Sequence, residues 1–137
     1  MARYTALIDG AAGAYGVVFP DLPGCTAMGA TLDAALCNAA DAMRDWVDVT
    51  LENGGAIPSP QPVEALRTEP DVAQALREGA SLASVPLVRE TGHAAKANLS
   101  LHAGILSAID AEAARRKLTR SAFVELMAKT ALPDMAQ

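Results

Sequence analysis

Lys96-Ala97-Asn98-Leu99-Ser100-Leu101 alternates polar and apolar residues, and two helix-like segments follow it, joined at Lys117-Leu118-Thr119-Arg120-Ser121. A period of two puts Lys96, Asn98 and Ser100 on one face of a strand and Ala97, Leu99 and Leu101 on the other. A lone strand of six residues leaves its ladder groups unpaired, and its single apolar face is too small to fold. Pairing with a second copy, antiparallel across a two-fold axis, removes both defects. The resulting ribbon is narrow enough to enter the major groove of DNA.

The segments that follow fit the same scheme. A first helix is expected over about Ala103 to Lys117, with Ile105, Leu106, Ile109 and Ala113 along one side. The second opens with Thr119 as N-cap, carries Phe123, Leu126 and Met127 inward, and is expected to stop at Pro133. Strand, helix and helix in this order give a ribbon-helix-helix layout. Its shared dimer core is Leu99, Leu101, Ile105, Ile109 and Phe123. On the opposite face, the Asn98 amide can both accept from and donate to an adenine edge, Lys96 can reach guanine acceptors or a phosphate, and Ser100 discriminates more weakly. Thr119, Arg120 and Ser121 are expected at a phosphate, because the start of a helix presents unpaired N–H groups and the positive end of its dipole.

The 137 residues carry a net charge of −5, which argues against nucleic-acid binding until its distribution is considered. Residues 1–92 hold 5 Arg against 12 Asp and Glu, whereas residues 93–137 hold 6 Lys and Arg against 4. The basic groups lie where the DNA reader is expected, and the split implies two regions with different partners. No stretch approaches the roughly 20 apolar residues of a membrane span, and Met1-Ala2-Arg3-Tyr4 leads straight into strand-like alternation, so a cytoplasmic protein is expected. Cys25 and Cys37 lack CxxC spacing and read as small buried or half-buried side chains, with no metal or cofactor implied.

The first 89 residues are expected to form a small antiparallel sheet with a packed helix, making the whole chain α+β. Tyr4–Ile8 and Tyr15–Phe19 read as a hairpin around a turn within Asp9–Gly13, Pro20-Asp21-Leu22-Pro23-Gly24 stops the second strand, and Cys25–Met28 reads as a third. Thr31 caps a long helix ending at Asn53-Gly54-Gly55, with Leu36, Ala39, Ala40, Met43, Trp46 and Val47 on its inner face. A rigid Pro-rich connection, a short helix over Pro70–Arg77, and an edge strand over Ala83–Val88 complete the domain. Residues 90–95 serve as a hinge, and residues 96–137 form the second domain. Asp9, Asp21, Asp33, Asp41 and Asp45 raise a metal-dependent nuclease, but solvent-face and turn roles explain them better. His93 and His102 are both expected to be exposed.

The segment Phe19-Pro20-Asp21-Leu22-Pro23-Gly24-Cys25, followed by Gly29-Ala30-Thr31-Leu32 and the Ala-rich helix closing at Gly54-Gly55-Ala56-Ile57-Pro58-Ser59-Pro60, resembles the HicB antitoxin family. Asn98–Leu101 with Leu118–Phe123 resembles the ribbon-helix-helix tail of many members. The resemblance implies a first domain like a trimmed ribonuclease H fold without an active site, which covers a small mRNA-cleaving toxin of the HicA type. It further implies a tail that represses the shared operon as a homodimer or tetramer, and a protein that is not itself an enzyme. Phe19, Asp21 and Leu22 are the candidate toxin contacts. A stand-alone transcriptional regulator with a ligand-sensing first domain is the alternative. Two departures from the family pattern are Ala34-Ala35 and Lys117, the latter where a helix-ending glycine is usual. Lys117 implies a strained or differently closed turn between the two helices, since lysine tolerates the left-handed conformation poorly.

Overall fold

Alternation along the first strand does what its pattern demands: Tyr4, Ala6 and Ile8 are buried while their neighbours are not. In the computed structural model, which describes residues 2–90 and 94–135, β1 (Arg3–Ala11) pairs with β2 (Ala14–Val18). The expected turn is narrower than Asp9–Gly13, because Asp9 and Gly10 stay in the ladder and only Ala12 and Gly13 connect the strands. Gly13 takes φ +96°, a conformation that glycine adopts without the clash a Cβ would bring. β3 (Thr26–Gly29) extends the sheet beyond β2, and β4 (Ser81–Pro86) pairs with β1 on the other side. The order is β3-β2-β1-β4, antiparallel throughout. Pro86 therefore closes an edge strand, where its missing N–H costs no ladder bond to a further neighbour.

α1 (Leu32–Glu52) lies over this sheet, capped by Thr31, whose hydroxyl accepts from the Ala34 N–H at 3.1 Å. Its inner face is Ala35, Leu36, Ala39, Ala40, Met43 and Val47, all buried. The alanines let helix and sheet come close, and Gly29 shows how close: a Cβ there would stand 2.3 Å from the Ala35 nitrogen. The Gly29-Ala30-Thr31 sequence is thus a packing requirement followed by a cap. Beyond α1, Gly54 turns the chain with φ +77°, and the Pro-rich connection is fastened by the Tyr4 hydroxyl donating to the Pro58 carbonyl at 2.7 Å. α2 (Val63–Leu66) was not anticipated, since four residues are too short to show a period, whereas α3 (Pro70–Arg77) falls where Pro70 and Gly79 set its limits. Leu66 and Val72 bury their side chains from these helices.

Two units divide the chain, one of residues 1–89 with 132–137 and one of residues 90–131. In the second, residues 94–102 form neither helix nor strand and α4 spans Ala103–Arg115; α5 spans Arg120–Met135, its last residues grouped with the first unit. α5 continues past Pro133 rather than ending there, because a proline in the last turn forfeits a single helical hydrogen bond. His93 lies outside the described residues, and His102 is exposed. Among the described residues no helix is long and apolar enough to cross a membrane.

Candidate functional site

The segment expected to form the ribbon is exposed along its length, and both of its faces meet solvent within the single chain. Leu99 is 68% exposed, Leu101 43% and Ile105 53%. Three large apolar side chains within seven residues are thus left uncovered, while Ile109 is half-buried and Phe123 is buried. Leu99, Leu101 and Ile109 border a groove of about 650 Å³, into which Leu106 and Val124 also open, with Asn98, Ser100, Arg120, Ser121 and the acidic Glu125 at its polar margins. The groove brings two of the expected base-reading residues, Asn98 and Ser100 but not Lys96, beside the start of α5. Covering an apolar side chain of this size is worth about 1.5–3 kcal/mol. The exposed row is the largest unrealised burial in the unit.

The turn joining α4 to α5 is closed by backbone bonds alone. Lys117 N–H donates to the Ala114 carbonyl at 3.0 Å and Leu118 N–H to the Ala113 carbonyl at 2.8 Å, the paired bonds of a Schellman motif. Lys117 stands at the left-handed position of that motif with φ +58°, so of the two expected outcomes, a strained or a differently closed turn, the first is the one found. Two residues on, the Thr119 hydroxyl accepts from the Ala122 N–H at 3.1 Å and caps α5. Arg116 lies over the Phe123 ring, 5.6 Å from its centroid, and helps cover that face.

Arg120 departs from the simple expectation of a free phosphate ligand. Its Nε and one terminal nitrogen donate to the two Asp110 carboxylate oxygens at 2.7 and 2.8 Å, and hydrogen bonding by this guanidinium holds the Asp110 carboxyl below its usual range. A phosphate must share the guanidinium with Asp110 or displace it. Arg115 and Arg116 both donate to Glu112, and those hydrogen bonds, Arg115 first, bring its carboxyl down to about 2. The Glu112 pairs follow the i,i+3 and i,i+4 rule and were readable in the sequence. The Asp110–Arg120 fork joins two helices and had no local signal.

The candidate toxin contacts need correction. Phe19 is 2% exposed, Asp21 8% and Leu22 0%, so their side chains belong to the core of the first unit and do not face a partner. The chain doubles back here, with Leu22 N–H donating to the Phe19 carbonyl and Cys25 N–H to the Leu22 carbonyl, both at 3.0 Å. Asp21 is more than a turn former: its carboxylate accepts from the Gln61 backbone N–H at 2.9 Å and from Gln61 Nε2 at 2.6 Å. The FPDLPGC stretch therefore plugs the sheet and anchors the Pro-rich connection. Burial pushes the Cys25 thiol up to about 11, while Cys37 is half-buried. Among the described residues no three His, Cys, Asp or Glu side chains gather to hold a metal ion.

An antiparallel sheet plugged by FPDLPGC and roofed by an alanine-lined helix, followed by a capped helix pair, defines a class of two-unit proteins. Residues 4–128 match the family described as the HicB-like antitoxin of bacterial toxin-antitoxin systems, and the chain belongs to that family. The crystal structure of the Burkholderia pseudomallei antitoxin HicB is similar, at 31% identity over 96% of this chain and 99% of that one, with a TM-score of 0.57. A chain of the HicA3 and HicB3 toxin-antitoxin complex shares the fold at 24% identity over 64% of this chain and 99% of that one, with a TM-score of 0.53. An uncharacterised 14.9 kDa protein from the rep-hol intergenic region of Haemophilus phage HP1 is 30% identical over 107 residues, 78% of either chain.

Proposed function

We propose that this antitoxin binds and silences a small mRNA-cleaving toxin of the HicA type through its first unit, and represses its own operon through a dimeric ribbon-helix-helix second unit. The observation that carries the DNA-binding half is the uncovered row of Leu99, Leu101 and Ile105 beside the groove where Asn98 and Ser100 meet the start of α5. A second copy supplies the missing ladder partner and covers that row, and the same pairing turns Lys96, Asn98 and Ser100 outward as one face. The toxin-binding half rests on family membership and on charge. Residues 1–92 carry 12 acidic against 5 basic side chains, and opposite net charge speeds encounter with a basic RNA-cleaving partner.

Co-expression with the product of the adjacent reading frame tests the first half. Growth arrest by that product alone, relieved by this chain, is the expected result; arrest that this chain does not relieve contradicts it. Binding of the full chain to the DNA upstream of its own coding sequence tests the second half. A chain that binds this DNA without affecting any neighbour-induced arrest would instead fit a stand-alone regulator.

A further inference from the structure

We infer that the Lys117 ammonium is a DNA phosphate contact, placed at the turn between α4 and α5. The inference rests on the DNA-binding reading above. It begins with the charges of the second unit. Arg115 and Arg116 share Glu112, Arg120 is held by Asp110, and Lys129 pairs with Glu90. Among the described residues of that unit, Lys96 and Lys117 are the cations with no acidic partner. Lys96 lies on the ribbon face already expected to meet DNA. Lys117 has been given no role.

Its backbone makes the vacancy informative. At φ +58° a residue with a Cβ is strained, and glycine takes the position without that cost. The turn is closed by backbone N–H and carbonyl groups that glycine would supply equally well. The Lys117 side chain is exposed, so no packing within the unit offsets the strain. A strained residue whose side chain does nothing inside the fold points to a task outside it.

Position names the task. Three residues of chain, at most about 11 Å, separate Lys117 from Arg120. Arg120 and Ser121 line the groove with Asn98 and Ser100, so the turn stands beside the segment that meets the major groove. Duplex DNA carries a negative charge about every 1.7 Å along its axis, and a ribbon seated in the groove lies between two phosphate backbones. Lys117 reaches one of these as an uncompensated charge. Arg120 comes with a carboxylate attached, so the unpaired lysine contributes more to counterion release at this turn.

The test uses full-length protein in which Lys117→Gly and Lys117→Asn remove the charge with residues that accept the left-handed conformation. Each variant and the wild type are titrated across a salt series against a duplex of the upstream DNA and a random duplex of equal length. Lys129→Gln controls for net charge. The expected result for both Lys117 variants is a loss of roughly 30-fold at 0.15 M salt on either duplex, about fivefold for each chain of the dimer, with a salt slope shallower by about 1.8 because two contacts are lost. Lys117→Gly should at the same time raise Tm by a few degrees. Stability and affinity then move in opposite directions, which a purely structural lysine cannot produce. Wild-type affinity and slope in both Lys117 variants overturn the inference while leaving DNA binding intact, and so does a loss equalled by Lys129→Gln. Failure of the wild type to bind either duplex overturns the DNA reading itself.

Discussion

The first unit seals a continuous apolar core between its sheet and helix, whereas the second leaves a row of large apolar side chains open beside one buried aromatic ring. Leu22, Met43 and Val47 are sealed between sheet, plug and helix, whereas Leu99, Leu101 and Ile105 lie open to solvent a short distance along the same chain. Both sets come from strongly patterned sequence, so pattern alone does not decide burial. What differs is the supply of partners. β1 has β2 and β4 on either side, while residues 96–101 have no strand to pair with among the described residues. A sheet that closes on one chain can serve as a stable platform for a partner, and a strand that cannot close makes assembly a condition of its own folding.

The largest expected effect comes from separating the two regions. A fragment ending at Arg89 keeps the plugged sheet and α1, so it should retain its circular dichroism and its hold on the toxin while losing operator binding altogether. Loss of toxin binding by that folded fragment would break the division of labour. Next in size is Leu22→Ala, which opens a cavity under the plug and should cost about 2–5 kcal/mol in denaturant unfolding of the first unit. Asp21→Asn acts at the same place through Gln61, and should cost less because the amide retains an acceptor for the backbone N–H.

Asn98→Ala sharpens the comparison from the other side. It should cost about 1–3 kcal/mol on operator DNA and much less on random DNA, since base-edge bonds carry sequence information. Arg120→Ala should weaken both duplexes about equally, and Asp110→Asn in the same titration reports how far the carboxylate restrains that arginine. Equal losses by Asn98→Ala on both duplexes would mean that the ribbon face reads no bases. Acid gives the smallest effect. Glu112 lies at about 2 in the folded chain against an ordinary 4.5, so its stabilising contribution is complete above pH 4.5 and is lost as pH falls through 2. Thermal melts from pH 5 to pH 2 should show a slight loss that Glu112→Gln removes, slight because this ion cluster is exposed.

Much of the fold was legible because it is written in short-range pattern. Tyr4, Ala6 and Ile8 alternate, Leu36, Ala39, Ala40 and Met43 recur at helical steps, and Thr31 and Thr119 stand where caps belong. Lys117 was legible only in part: the missing glycine flagged the turn, but a helix need not end in the left-handed conformation, and only the structure puts Lys117 there. The FPDLPGC stretch could be read as a stop, but not as a plug. Its inward Phe19 and Leu22 depend on the shape of the sheet, and the Asp21 clamp depends on Gln61, 40 residues away. The Asp110–Arg120 fork was hidden for the same reason. For the ribbon, the pattern specifies a strand whose partner lies outside the chain, so the alternation at 96–101 is legible as a demand that one chain alone does not meet.

Sedimentation equilibrium of the wild type beside Leu99→Asp tests that demand most directly. A carboxylate in the shared apolar core would be desolvated without a partner, which pairing does not tolerate. The account predicts that the wild type sediments as at least two chains and that Leu99→Asp sediments as one, with the circular dichroism of the first unit preserved. A Leu99→Asp protein that still sediments as a dimer would contradict it, because the interface would then lie away from the ribbon.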